Sequence, residues 1–130
     1  MTTESVAPPP AGFVQSTLRG PFTTHNGPVY HRPDDPHVRA FRVLLRHCNG
    51  FGIAHGGWLM AFTDGVLGSA VYEGTKSRSV TLRMNTDFVD MVRQGEWVEI
   101  LSGLAKGDTV VLEPAGLRTG QPLMLDAKAR

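Results

Sequence analysis

Residues 49–72, NGFGIAHGGWLMAFTDGVLGSAVY, decide how the chain folds. They begin as a small-residue loop, pass through His55-Gly56-Gly57 and continue as an apolar run of about four helical turns. Trp58, Leu59, Met60, Ala61, Phe62, Val66, Leu67, Ala70 and Val71 fall round most of the circumference. That distribution predicts a helix over 57–72, buried on nearly all sides. Gly65, Gly68 and Ser69 are weak helix formers that let another element come close. Gly74 is the expected stop. One acid, Asp64, interrupts the apolar run. An unpaired carboxylate is costly to bury, so its presence asks for a partner or a task.

The start of the helix suggests the task. Gly56 and Gly57 carry no Cβ, so a ligand can approach their backbone. The first N–H groups of a helix lack intrahelical partners and lie at the positive end of its dipole. Such donors suit a polarised carbonyl oxygen, and donors of this kind are often the largest contribution to acyl-transfer catalysis. Asp64 follows Gly57 by seven residues, two turns or roughly 10 Å along the axis. Groups that act on one carbonyl must lie about 3 Å from it. One chain cannot bring both, whereas two antiparallel helices related by a two-fold axis could. The plain alternatives are a Gly-Gly that only turns the chain and an Asp that bonds a neighbouring hydroxyl or faces solvent.

Composition narrows the class. The chain has 130 residues, enough for one domain with a real core. It is 41% hydrophobic and 19% charged, as soluble globular proteins are. A net charge of +1 gives no basic field for nucleic acid. Cys48 is the single cysteine, which excludes an internal disulfide and fits a reducing, cytoplasmic setting. No apolar run is long enough for a membrane span, and no basic-then-apolar leader is evident at the N-terminus. His25, His31, His37 and His47 show no metal-ligand spacing with His55, so neither metal nor cofactor is expected.

Around the helix the chain reads as short strands. Residues 1–25 are expected to be a flexible tail and lid, and 26–130 one domain. Val29-Tyr30-His31 follows the Gly27-Pro28 break as a short strand. Residues 38–48 (VRAFRVLLRHC) alternate, with Phe41, Val43 and Leu45 on one face. Asn49-Gly50 ends that strand, and residues 51–54 are too few and small to suggest a returning partner. Residues 79–89 alternate cleanly, Val80, Leu82, Met84, Thr86 and Phe88 against Thr81, Arg83, Asn85 and Asp87. Further strands are expected over 96–105, 109–117 (broken by Pro114) and 122–128. The expected architecture is α+β, one long buried helix wrapped by a curved antiparallel sheet of five to six strands. A sheet curled round one helix leaves edges and a face for another copy.

The pattern Asn49, five residues, His55-Gly56-Gly57, six residues, Asp64 resembles the hotdog-fold acyl-CoA thioesterases, in particular the phenylacetate-degradation (PaaI-like) type. The resemblance runs from about Asn26 to the C-terminus. It implies the hotdog fold and hydrolysis of an acyl-CoA to free acid and CoA. The acyl group would be aromatic or of short to medium length. It assigns the catalytic roles by position: His55 orders the loop, the Gly57 N–H receives the thioester carbonyl, Asn49 holds the carbonyl or the attacking water, and Asp64 of the neighbouring subunit activates water or attacks. Thr81 matches the strand hydroxyl that assists, although alternation with Arg83 and Asn85 points it away from the helix. Gly56 and Trp58 would border the acyl group and Arg78 the CoA phosphates. A homodimer, assembled as a dimer of dimers, is implied. A binding protein that holds an acyl or aromatic ligand without hydrolysing it is the alternative.

Overall fold

The computed structural model describes residues 5–101. The strands expected over 109–117 and 122–128, and the end of that over 96–105, lie outside the described residues. Within them the order is β1 (Val14–Gln15), α1 (Pro21–Asn26), β2 (Val29–Arg32), β3 (Asp35–Arg42), a 3-10 turn (Leu45–His47), α2 (Gly56–Thr75) and β4 (Trp97–Leu101). The four strands form one antiparallel sheet in the order β1-β2-β3-β4. Val29 pairs with Phe41, and Phe41 with Val98. Phe41 therefore sits at the centre of the sheet and is fully buried.

α2 lies across this sheet on a single face. Trp58, Phe62 and Val66, four residues apart, are its buried residues, as a period of 3.6 requires. The Phe41 ring meets the Phe62 ring at 4.7 Å and the Trp58 ring at 5.4 Å, both edge to face, the arrangement that aromatic quadrupoles favour. Val29, Val43 and Ala54 complete the cluster. The expectation of a helix buried nearly all round is corrected. Leu67, Val71 and Tyr72 are 41%, 44% and 50% exposed in the single chain. Gly74 does not stop the helix either. It lies in the last turn, and Lys76 ends α2 in the left-handed region (φ 56°), its N–H donating to the Tyr72 carbonyl at 2.7 Å.

The strand expected over 38–48 is displaced. β3 starts earlier, at Asp35, and stops at Arg42. The cause is local: His47 Nδ1 accepts from the Leu44 N–H at 3.0 Å, and the His47 N–H donates to the Leu44 carbonyl at 2.9 Å. Those bonds draw the backbone into a turn that leaves Leu45 exposed. Residues 79–89 form no strand with the described residues, despite their alternation. On the far face of the sheet, Phe13 and Tyr30 pack on Trp97 at 5.1 and 5.2 Å. The Arg42 guanidinium lies over the same indole at 5.3 Å and donates to the Pro8 carbonyl. The segment ahead of α1 is thereby fastened across that face. No helix among the described residues is long and apolar enough to cross a membrane.

Candidate functional site

The loop into α2 is built by its own polar groups. Asn49 closes it: its N–H donates to the Ile53 carbonyl at 2.8 Å, and its carbonyl accepts from the Gly52 N–H at 3.0 Å. The Asn49 Oδ1 accepts from the Phe51 N–H at 2.9 Å, an Asx turn of the kind that makes Asn a turn residue. Gly52 holds a positive φ of 74°, which a side chain would resist. Cys48 and Ala54 do pair, as an isolated antiparallel bridge, so the loop returns on itself where the sequence suggested no partner. The Ala54 N–H donates to the Val92 carbonyl at 2.7 Å and the His55 N–H to the His47 carbonyl at 2.8 Å. Both bonds fix where α2 begins.

His55 is the N-cap of α2. Its Nδ1 accepts from the Gly57 N–H at 2.8 Å, satisfying one of the orphan donors of the first turn. Gly57 has no Cβ for good reason, since one would lie 2.9 Å from that Nδ1. Gly56 lies beneath the Phe88 ring, 3.1 Å from where its Cβ would stand. Beside this helix start is a pocket of about 360 Å³, bordered by Phe22, Asn26, Cys48, His55, Gly57 and Trp58. A larger groove of about 920 Å³ runs between α1 and α2, with Trp58, Phe62 and Val66 on its apolar side and Arg19, Arg39 and Arg78 among its polar residues. Volumes of this order suit small-molecule ligands.

Asp64 is half-buried and two residues beyond Phe62, about half a turn round the helix. The Thr81 hydroxyl donates to its Oδ1, so Thr81 turns toward the helix and not away from it, as its place in the alternation had suggested. The expected residues thus form three groups. Asn49 orders the loop; His55, Gly57 and Trp58 share the pocket at the helix start; Asp64 and Thr81 make a second cluster two turns along. Arg78 stands on the groove. No group of His, Cys, Asp or Glu among the described residues could hold a metal ion.

Two residues were not singled out by the sequence. His47, weighed there only as a metal ligand, is buried, stacks on the Trp58 indole at 4.7 Å and 17°, and places its Nε2 2.8 Å from the Asn26 carbonyl. Since Nδ1 accepts, Nε2 carries the proton. An aromatic or imidazole ending an apolar strand two residues before Asn49 was the available signal. Phe88, over Gly56, was legible only as one member of an apolar face.

Comparison with known proteins agrees with this organisation. A family profile described as "Thioesterase superfamily" matches residues 51–106, from the loop before His55 to just past β4. The Pseudomonas aeruginosa protein named "Putative esterase PA0474" is 32% identical over 123 residues, covering 91% of this chain and 92% of its own length. A long helix entered through a His-Gly-Gly loop and laid across an antiparallel sheet, together with that near full-length relative, identifies the chain as a member of the thioesterase superfamily, with the hotdog architecture.

Proposed function

We propose that the protein is an acyl-CoA thioesterase of the PaaI-like type, hydrolysing an aromatic or short- to medium-chain thioester in sites shared between two subunits of a homodimer. The observation that carries it is the placing of one backbone donor and one carboxylate on a single helix. Gly57 N–H lies at the start of α2 beside a ligand-sized pocket, and Asp64, held by Thr81, lies seven residues on. About 10 Å of helical rise separates them. They can meet on one carbonyl only if each comes from a different copy.

In the proposed reaction the thioester oxygen takes over the Gly57 N–H, and Asn49 holds the carbonyl or the water through its free amide edge. Asp64 of the other subunit removes a proton from water as it attacks the carbonyl carbon. The tetrahedral oxyanion is stabilised by the helix start. The C–S bond then breaks, CoA leaves as the thiol with the proton returned, and the free acid remains. Arg78 meets the CoA phosphates at the groove. No cofactor enters this scheme. A PaaI-like enzyme of this kind would work in the cytoplasm, as a dimer of dimers, with residues 26–130 as the hydrolase domain and the residues before them as a lid.

The test is Asp64→Asn against a panel of short, medium and aromatic acyl-CoAs. The expected result is turnover by the parent and none by a still-dimeric variant. Undiminished hydrolysis in Asp64→Asn sinks the mechanism. Silence of the parent across the panel, with ligand-induced thermal stabilisation, favours the non-catalytic binding protein.

A further inference from the structure

The two cavities meet at one pair of rings. Phe22 and Trp58 each border both the pocket of about 360 Å³ beside Gly57 and the groove of about 920 Å³ between α1 and α2, and no other residue borders both. The rings lie 6.3 Å apart. They differ in freedom. Trp58 is buried, with His47 stacked on its indole and Phe41 against it edge to face. Phe22 is 61% exposed, on a helix of six residues that buries none of them. An exposed side chain changes rotamer within nanoseconds.

The remaining side chains round the pocket are tied. Asn26 donates to the Phe22 carbonyl, Arg46 to the Gly27 carbonyl and Cys48 to the Leu44 carbonyl, while His47 bonds the Asn26 carbonyl and His55 accepts from Gly57. Phe22 is the wall that can move, and α1 need not move with it. Arg46 and His47 hold the end of that helix through the same two carbonyls. Ahead of it Leu18 packs on the core, so close to Gly27 that a Cβ there would stand 2.4 Å from Leu18 Cδ1. The backbone is fastened on both sides of a free ring.

We propose that Phe22 is the specificity-determining wall of the acyl pocket, and that its ring limits the substrate to compact acyl groups, aryl or short linear ones. The inference rests on the thioesterase reading of the site and adds what sets its range. With the thioester carbonyl at Gly57 and the CoA phosphates at Arg78 on the groove, the acyl group is left the smaller cavity. A chain that outgrows it must turn the Phe22 ring outward, because every other wall is tied. That move strips the ring from Trp58 and puts apolar surface into water. An aryl group avoids the cost and gains a partner, since it can lie against the ring offset or edge to face.

The probes are butanoyl-, octanoyl-, dodecanoyl- and phenylacetyl-CoA for kinetics, and the S-dodecyl and S-phenethyl thioethers of CoA, which cannot be hydrolysed, for calorimetric binding. All carry the same CoA, so a change in the grip on CoA cancels in their ratios. In the parent, kcat/KM should fall between octanoyl- and dodecanoyl-CoA. In Phe22→Ala the ratio of dodecanoyl- to phenylacetyl-CoA should rise by about tenfold or more, and the thioether Kd ratio should move toward S-dodecyl-CoA by a similar factor. Phe22→Trp, with its larger ring, should bring the fall to between butanoyl- and octanoyl-CoA. Melting temperatures should change little, because the side chain is exposed. Ratios that keep their parental values in both variants overturn the inference, as does a loss of all activities by one common factor, or failure of every protein to bind either thioether. A Kd ratio that shifts in proteins that hydrolyse nothing sinks the enzyme and leaves the wall standing. Hydrolysis with fixed ratios does the reverse.

Discussion

The N–H of Gly57 donates to Nδ1 of His55 at 2.8 Å. The donor proposed for the thioester oxygen is thus already engaged in the free protein, and substrate must displace an imidazole to use it. The exchange is mild, because one neutral acceptor replaces another and the helix cap is replaced by the ligand. Under the proposed mechanism, His55 caps the first turn until the ligand takes its place.

His55→Ala should therefore cost stability more than chemistry. Loss of an N-cap is worth about 1 kcal/mol, read as a melting temperature lower by about 4 °C. Hydrolysis at saturating substrate should fall by no more than about tenfold, and His55→Asn, which restores a good cap, should recover the lost stability. Turnover abolished in His55→Asn as fully as in Asp64→Asn would mean that the imidazole takes part in the reaction.

Thr81 donates its hydroxyl to Asp64 Oδ1. Under the proposed mechanism that bond fixes which carboxylate oxygen faces the water. Thr81→Val removes the donor and keeps the shape. The expected outcome is kcat lower by about tenfold, within the range that general-base positioning contributes, with KM little changed and the melting temperature nearly so, since Thr81 is exposed. Thr81→Ser should recover most of kcat. A Thr81→Val protein with parental kcat would make the bond a surface contact with no part in the reaction.

How much of this was legible in the sequence differs by element. The helix start was readable because His-Gly-Gly carries its own physics, a cap and two positions where a Cβ has no room. The extent of burial was not. Nine apolar residues round a helix show that several faces want cover, but within the described chain only Trp58, Phe62 and Val66 are buried, with Leu59 and Ala61 partly covered beside them. The run 79–89 shows the same limit. Alternation tells which side chains share a face; it cannot say which element lies alongside. Val80 and Leu82, members of the apolar face, are 84% and 93% exposed. His47 hid for a different reason. Its position continued an alternating strand, and only the fold shows its ring bonding the backbone and ending that strand early.

The one-sided packing of α2 can be measured. Phe62→Ala removes a ring held between Phe41 and Trp58 and should destabilise by about 3–5 kcal/mol. Phe41→Ala should be at least as costly, since that side chain is wholly buried at the sheet centre. Chemical denaturation of each variant gives the values. A loss below about 1 kcal/mol at Phe62 would show that α2 does not rest on the sheet through this face.

The Arg39–Glu73 pair ties β3 to the last turns of α2, with Nη2 and Oε1 2.9 Å apart. The side chains are 22% and 39% exposed, so water screens the pair and its worth should be modest. A double-mutant cycle with Arg39→Ala and Glu73→Ala should give a coupling of about 0.5–1 kcal/mol that shrinks in high salt. A coupling that salt leaves unchanged would point to packing of the arginine stem as the larger part of the contact.

Whether two chains share each site has a direct answer in mixed dimers. Gly57→Pro lacks the proposed donor; proline's φ suits a first helical turn, and the exposed His55 imidazole, which has lost its N–H partner, must swing aside for the new Cβ; Asp64→Asn lacks the proposed base. Each homodimer should be inactive. When the two variants are unfolded together and refolded as an equal mixture, half of the dimers should be mixed. Each of those holds one site with an intact Gly57 from one chain and an intact Asp64 from the other, and one site with neither. About a quarter of parental activity should return. A site formed within one chain cannot be rescued this way, because every chain in the mixture carries a defect. No recovery, from a mixture shown by sedimentation to contain dimers, would place the donor and the carboxylate in separate functions and end the case for a site at the subunit boundary.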